Sequence, residues 1–190
     1  QYNDNKIYFY YNITEEMEEI REEIEKIEEI YSPKNILITG GCGFIASNYI
    51  NYYFNKNQES INKLINVDAM YYCANELNVN ESIRLNNKYK LIKGNICNFK
   101  LMEEILNTYE IDTVMHFAAQ SHVQNSFNEC LLYVYDNVVG TTTLLETCKQ
   151  YGKLKRFIHV STDEILGDSQ CKDGEEKKDE NARILPNNPY

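Results

Sequence analysis

The sequence predicts an α/β fold, a doubly wound parallel sheet, and three observations carry that expectation. Short apolar, β-branched runs alternate along the chain with stretches whose apolar residues recur at helical spacing, the pattern of repeated βαβ units. The first run passes without a gap into Gly40, Gly41 and Gly43, a turn that lets the next helix start directly above the strand. The second run, about thirty residues on, ends in the carboxylate of Asp68, as a dinucleotide-binding βαβ unit requires. Right-handed crossovers then order five strands 3-2-1-4-5.

The elements follow in order. Residues 1–12 are rich in Tyr and Asn and carry no readable chemistry. Ile13, Met17, Ile20, Ile24, Ile27 and Tyr31 draw one stripe down an acidic amphipathic helix, which Asn12 or Thr14 could cap. That stripe either docks on its own domain or serves self-association or a partner, and two and a half heptads do not make a coiled coil. Ser32-Pro33 ends the helix, so the expected organisation is an extension over 1–32 and a nucleotide-binding domain over 33–190.

Asn35–Thr39 is the first strand, and Ile45, Tyr49, Ile50 and Tyr53 mark the helix behind the glycine turn. Lys63–Val67 is the second strand. The polar stretch from Ala69 to Val79 lacks periodicity and lies where an adenosine would be covered. Tyr89–Lys93 is the third strand; Leu101, Met102, Ile105, Leu106 and Tyr109 then mark a helix capped by Asn98. Thr113–Phe117 is continuously apolar and so buried on both faces. Asn137–Tyr151 is a helix stopped at Gly152, Arg156–Ser161 is the fifth strand, and Gly167–Asn188 reads as loop.

Composition bounds the function. The chain has 190 residues, 43% hydrophobic and 25% charged, enough for one full core. No apolar run reaches the ~18–20 residues of a membrane span, and no secretory leader is visible, so a cytoplasmic protein is expected. Most of the net charge of −10 sits in Glu15–Glu29, nine glutamates against Arg21 and Lys26. No basic stripe exists to neutralise phosphates, which excludes a nucleic-acid surface. The six cysteines form no CxxC pair and no metal-ligand spacing, so neither disulfides nor a metal is expected.

The glycine turn has a ligand reading and a plain one. It can be a tight strand-to-helix turn and nothing more, or it can bring a pyrophosphate against free N–H groups at the positive end of a helix. Asp68 favours the second, because its carboxylate can accept from ribose hydroxyls; no arginine follows to hold a 2′-phosphate, so NAD is expected over NADP. Ser161-Thr162-Asp163-Glu164, after the fifth strand, likewise reads as a capped acidic turn or as a hydroxyl and two carboxylates that divide acid and base roles.

The series TGGCGFIAS, NVDAMYYCAN, GNIC, HFAAQSHV, DNVVGT, STDE and PNNPY resembles the extended short-chain dehydrogenase/reductases, and within them the nucleotide-sugar 4,6-dehydratases of the dTDP-glucose 4,6-dehydratase type. The resemblance runs from about Lys34 to Tyr190 and implies a truncated Rossmann-like domain with the sugar-binding domain absent, either part of a longer protein or a chain that has lost the enzyme. It implies that Gly40, Gly43, Phe44 and Ile45 meet the NAD pyrophosphate, Asp68, Ala69, Met70 and Tyr71 the adenosine ribose, and Asn95 and Ile96 the adenine. Phe117, Ala118, Ala119, Gln120 and Ser121 line the nicotinamide side, with Ser121 also near the sugar and Asp136 beside the cofactor. Thr162 holds the hexose, Asp163 is the proton donor, Glu164 the base, and Tyr190 the tyrosine of a YxxxK pair.

The chain departs from that pattern at Ala46 (glycine is usual), Asn95 (aspartate), Asp136 (commonly threonine) and Leu166 (tyrosine). The paired lysine would stand four positions beyond Tyr190, so the 190-residue segment by itself is expected to be inactive. His122 belongs to a matched motif and is expected near the sugar, whereas His116 and His159 are expected in the core. The implied reaction is a redox-neutral dehydration of dTDP- or UDP-glucose to the 4-keto-6-deoxy sugar. The alternatives are a non-catalytic NAD-binding or assembly protein on a truncated domain, and a nucleotide-sugar epimerase or decarboxylase.

Overall fold

Five apolar runs become strands: β1 (Asn35–Thr39), β2 (Lys63–Asp68), β3 (Tyr89–Lys93), β4 (Thr113–His116) and β5 (Arg156–His159). The computed structural model describes residues 31–167 and 178–190; the helix expected over 13–31 lies, except for Tyr31, outside them. All four strand pairings are parallel, in the order β3-β2-β1-β4-β5. β2, β1 and β4 sit inside the sheet, and β4 is buried along its whole length, its polar ends Thr113 and His116 included.

Helices cover both faces because the strand residues alternate. Ile36 and Ile38 of β1 pack with Ala46, Ile50 and Phe54 of α1 (Phe44–Asn57), whereas Leu37 packs on the opposite side. There it meets Met102, Ile105 and Leu106 of α3 (Phe99–Thr108) and Leu144 and Cys148 of α6 (Gly140–Tyr151). Each such aliphatic side chain, taken wholly out of water, contributes about 2 kcal/mol. α2 (Glu81–Arg84) precedes β3, and α4 (Val123–Asn128) and α5 (Cys130–Tyr133) follow β4.

Local capping closes these elements where the sequence marks it. Asn98 accepts from the Leu101 N–H at the start of α3. Gly152 ends α6 at φ +67°, its N–H returned to the Cys148 carbonyl at 3.1 Å. A π-helical turn, Val134–Val139, joins α5 to α6, so the helical run begins earlier than the expected Asn137 and with a wider turn.

Three expectations need correction. The buried stripe of α1 is Ala46, Ile50 and Phe54, with Tyr49 and Tyr53 beside it; Ile45 is 65% exposed because it faces a cavity rather than the sheet. The Ala69–Val79 stretch contains a 3₁₀ turn, Glu76–Asn78, capped by Asn75. His116 is buried but His159 is exposed, since β5 pairs only with β4 and its outer edge carries no strand among the described residues. Of the described cysteines, all free, Cys42 and Cys148 are buried, and Cys73 and Cys130 are exposed.

Candidate functional site

Parallel pairing brings the C-terminal ends of all five strands to one edge, and the ladder continues one residue past four of them, Phe117 N–H donating to the Thr39 carbonyl at 3.2 Å beyond β4. Gly40 N–H donates to the Val67 carbonyl (2.8 Å), Gly94 N–H to Asp68 (2.9 Å) and Val160 N–H to His116 (3.0 Å). At Gly40 the backbone is left-handed, φ +71°, and a Cβ would come within 2.8 Å of the Ala118 Cα. A Cβ on Gly41 would collide with the Asn66 carboxamide, which accepts the Gly41 N–H at 3.0 Å. Both glycines are thus demanded by the fold.

Gly43 is different. Its φ is an ordinary −76°, and a Cβ there would meet only the Gly40 carbonyl, at 3.3 Å. As the N-cap of α1 it offers no side-chain acceptor, and no acidic residue stands in the first turn. The first-turn N–H groups therefore have no intrahelical acceptor and face an open space that a side chain would fill. That is a cradle for an anionic group.

Above the cradle lies a cavity of about 400 Å³. Gly40, Gly43, Phe44 and Ile45 form its base; Asp68, Ala69, Tyr71, Asn95 and Ile96 line it on the β2–β3 side; Phe117, Ala118, Ala119, Gln120 and Ser121 line it after β4. Asp136 of the π turn, Ser161 and Tyr190 complete it. Of the residues expected around a cofactor, only Met70 stands outside the lining; it takes a left-handed φ of 59° and donates its N–H to Asp68. Cys73, Ala74 and Val160 line the cavity without having been singled out in the sequence.

Two carboxylates reach the cavity by different routes. Asp68 accepts the Cys42 N–H (2.9 Å) on one oxygen and the Met70 N–H (2.8 Å) on the other. Asp136 is held by side chains: Gln120 Nε2 at 2.9 Å, Asn95 Nδ2 at 3.3 Å and the Tyr71 hydroxyl at 3.4 Å. Burial, then the Asp136 charge, raises the Tyr71 pKa, so the phenol stays a donor to that carboxylate. Burial and Asp68 likewise push Cys42 to about 11, which leaves it an inert thiol.

The acidic turn stands at the rim. Ser161 and Tyr190 line the cavity, but Thr162, Asp163 and Glu164 do not. Thr162 caps the 3₁₀ turn Asp163–Leu166, its hydroxyl accepting the Glu164 N–H at 3.2 Å; Asp163 is exposed. Asn188 Nδ2 donates to Glu164 Oε2 at 2.8 Å, and Asn188 Oδ1 accepts the Tyr190 N–H at 3.0 Å. Leu185 N–H bonds to the Ile165 carbonyl at 2.9 Å, so the segment leading to Tyr190 is tied to the turn. His122 caps α4 through Nδ1 and does not line the cavity.

Three asparagines that sequence reasoning passed over arrange this edge. Asn66 holds the glycine turn, Asn188 joins Glu164 to Tyr190, and Asn137 clasps the main chain of Gln120 through both amide atoms, at 2.8 and 3.0 Å. Each lies inside or beside a quoted motif, but its partner is distant in sequence. Among the described residues, no group of His, Cys, Asp and Glu could hold a metal ion, and no helix is long and apolar enough to cross a membrane.

Comparison with known proteins places this geometry in context. The model of the GDP-mannose 4,6 dehydratase family matches residues 37–190. The chain is 44% identical over 160 residues to a trifunctional UDP-glucose 4,6-dehydratase/UDP-4-keto-6-deoxy-D-glucose 3,5-epimerase/UDP-4-keto-L-rhamnose-reductase of Arabidopsis thaliana, covering 84% of this chain and 24% of that protein. It is 41% identical over 164 residues to the dTDP-D-glucose 4,6-dehydratase of Dictyostelium discoideum, covering 83% and 37%. Among solved structures, dTDP-glucose 4,6-dehydratase from Bacillus anthracis in complex with NAD superposes with a TM-score of 0.71 at 36% identity, covering 83% of this chain and 46% of that one. The chain thus spans a quarter to a half of these relatives' length.

Proposed function

The chain belongs to the GDP-mannose 4,6 dehydratase family, and we propose on that footing that it is the NAD-binding part of an enzyme that dehydrates dTDP- or UDP-glucose to the 4-keto-6-deoxy sugar. The observation that carries this reading is one cavity bounded by the Gly43 cradle, by Asp68 and by Tyr190. The cradle fits a pyrophosphate, since the missing Cβ of Gly43 and the uncapped first turn of α1 leave both room and donors. Asp68, whose oxygens each keep a lone pair beyond the bond they accept, would take ribose hydroxyls. Asn95 and Ile96 would meet the adenine, and Phe117 to Ser121 the nicotinamide side.

When bound, NAD supplies reversible hydride acceptance, at C4 first and back to C6 last, so the reaction is redox-neutral. The chain's own groups move the protons. Tyr190, as phenolate, would take the C4 hydroxyl proton; Glu164 would remove the C5 proton that the 4-ketone acidifies; Asp163 would protonate the C6 hydroxyl as it leaves as water; and the protonated Glu164 would return a proton to C5 as C6 is reduced. Ser121 and Thr162 would orient the hexose.

The test is single turnover by the full natural chain with each nucleotide sugar. Glu164→Gln and Asp163→Asn are expected to reduce the cofactor but to lower 4-keto-6-deoxy product by about 100-fold or more. Parental product formation by both variants would reduce the acidic turn to a capped loop.

A further inference from the structure

Tyr190 in the cavity lining and Glu164 at its rim come from different segments of the chain, and one carboxamide connects them. We propose that Asn188 is a positioning residue for the dehydration: it holds the Glu164 carboxylate and the main chain of Tyr190 in one frame, so that proton removal at C5 and at the C4 hydroxyl occur from a fixed relative geometry. This rests on the reading of Glu164 and Tyr190 given above.

The chemistry of the side chain suits the task. Nδ2 donates to Glu164 Oε2 at 2.8 Å while Oδ1 accepts the Tyr190 N–H at 3.0 Å, so the donor and the acceptor of one planar group are both committed. Aspartate could keep the second bond but, ionised, could not donate the first. Pro189 follows directly; it biases Asn188 towards extended backbone and offers no N–H of its own, which makes the Tyr190 N–H the next donor along the chain.

The bond to Glu164 is not what docks the segment. Leu185 N–H on the Ile165 carbonyl, and Lys178 Nζ on the Leu166 carbonyl at 2.8 Å, already tie the segment to the turn through groups that do not touch Glu164. What the Asn188 carboxamide adds is the direction of the Glu164 carboxylate, which has no other hydrogen-bond partner among the described residues.

Two variants of the full natural chain separate positioning from folding. Asn188→Asp keeps the acceptor for Tyr190 and removes the donor to Glu164; Asn188→Ala removes both. In single turnover with dTDP- or UDP-glucose, Asn188→Asp is expected to reduce the cofactor at close to the parental rate and to release 4-keto-6-deoxy sugar about 10–100-fold more slowly, whereas Asn188→Ala slows both steps. Thermal melts of Asn188→Ala, Glu164→Ala and the double variant are expected to show non-additive shifts. An Asn188→Asp variant that matches the parent in both steps, or loses both equally, overturns the proposal, as do additive melts. Should the parent itself make no 4-keto sugar, the reaction reading fails, and the melts alone then decide whether Asn188 holds Glu164.

Discussion

A carboxylate at a sheet edge is costly to bury unless donors surround it, and Asp68 and Asp136 meet that demand with main-chain and side-chain donors respectively. Asp68 therefore cannot swing away from an incoming 2′-phosphate. NAD is expected to bind more tightly than NADP by tenfold or more, roughly the cost of one close like-charge contact near a surface; calorimetric titration of both measures it, and equal affinities would remove Asp68 from the ribose site. His116 gives a second prediction. Burial, aided by the neighbouring His159, lowers its pKa from 6.5 to about 4, and its ring nitrogens contact Thr39 (2.7 Å) and Thr141 (2.9 Å). Between those pH values the unfolded chain binds more protons than the folded one. Stability from this group is thus complete above pH 6.5 and lost as the pH falls to 4, by at most about 3 kcal/mol. Urea midpoints across that range should show the slope, and His116→Gln should flatten it. Asp68 is legible in sequence because it ends a strand, whereas Asn66 and Asn188 act on residues 25 and 24 positions away, which no local pattern encodes.

Elements differ in how far the chain announces them. β1, β2 and β4 are legible because central parallel strands are buried on both faces and read as mainly apolar, β-branched runs, and α3 because Asn98 caps a clear stripe. α2, α4 and α5 are too short to show a period, and the π turn changes the pitch without changing the composition. Two glycines with nearly the same backbone angle then separate conformational cost from packing cost. At Gly152, φ +67°, a Cβ would come no nearer than 3.9 Å to any neighbour, so Gly152→Ala is expected to cost about 1 kcal/mol of left-handed strain and leave NAD affinity unchanged. At Gly40, φ +71°, the Cβ would also meet the Ala118 main chain, so Gly40→Ala is expected to cost roughly 1–3 kcal/mol more and to abolish NAD binding. Equal urea midpoints for the two variants would contradict the close approach at Gly40.

At the scale of the molecule, the proposed cofactor contacts and the proposed hexose contacts are supported to different degrees. The cradle, Asp68 and the Asp136 network all come from the segment between β1 and α6, and hydrogen bonds fix the glycine turn and both carboxylates in place. The proposed hexose contacts are fewer: Ser121 is exposed, and the Thr162 hydroxyl is partly committed to the Glu164 N–H. On the proposed reading, a hexose held by these few contacts lacks a fixed attack geometry at C4 and C5, and loose placement of reacting groups alone costs about 100-fold. The 190-residue chain is therefore expected to bind NAD while forming no measurable 4-keto sugar from dTDP- or UDP-glucose, and a chain carrying the remaining length of its relatives is expected to form it. Both are assayed side by side for cofactor binding and for product. Turnover by the shorter chain at a rate near that of the longer one would show that Ser121, Thr162 and the turn at Asp163 and Glu164 already make a complete sugar site, and that Tyr190 needs no partner beyond it.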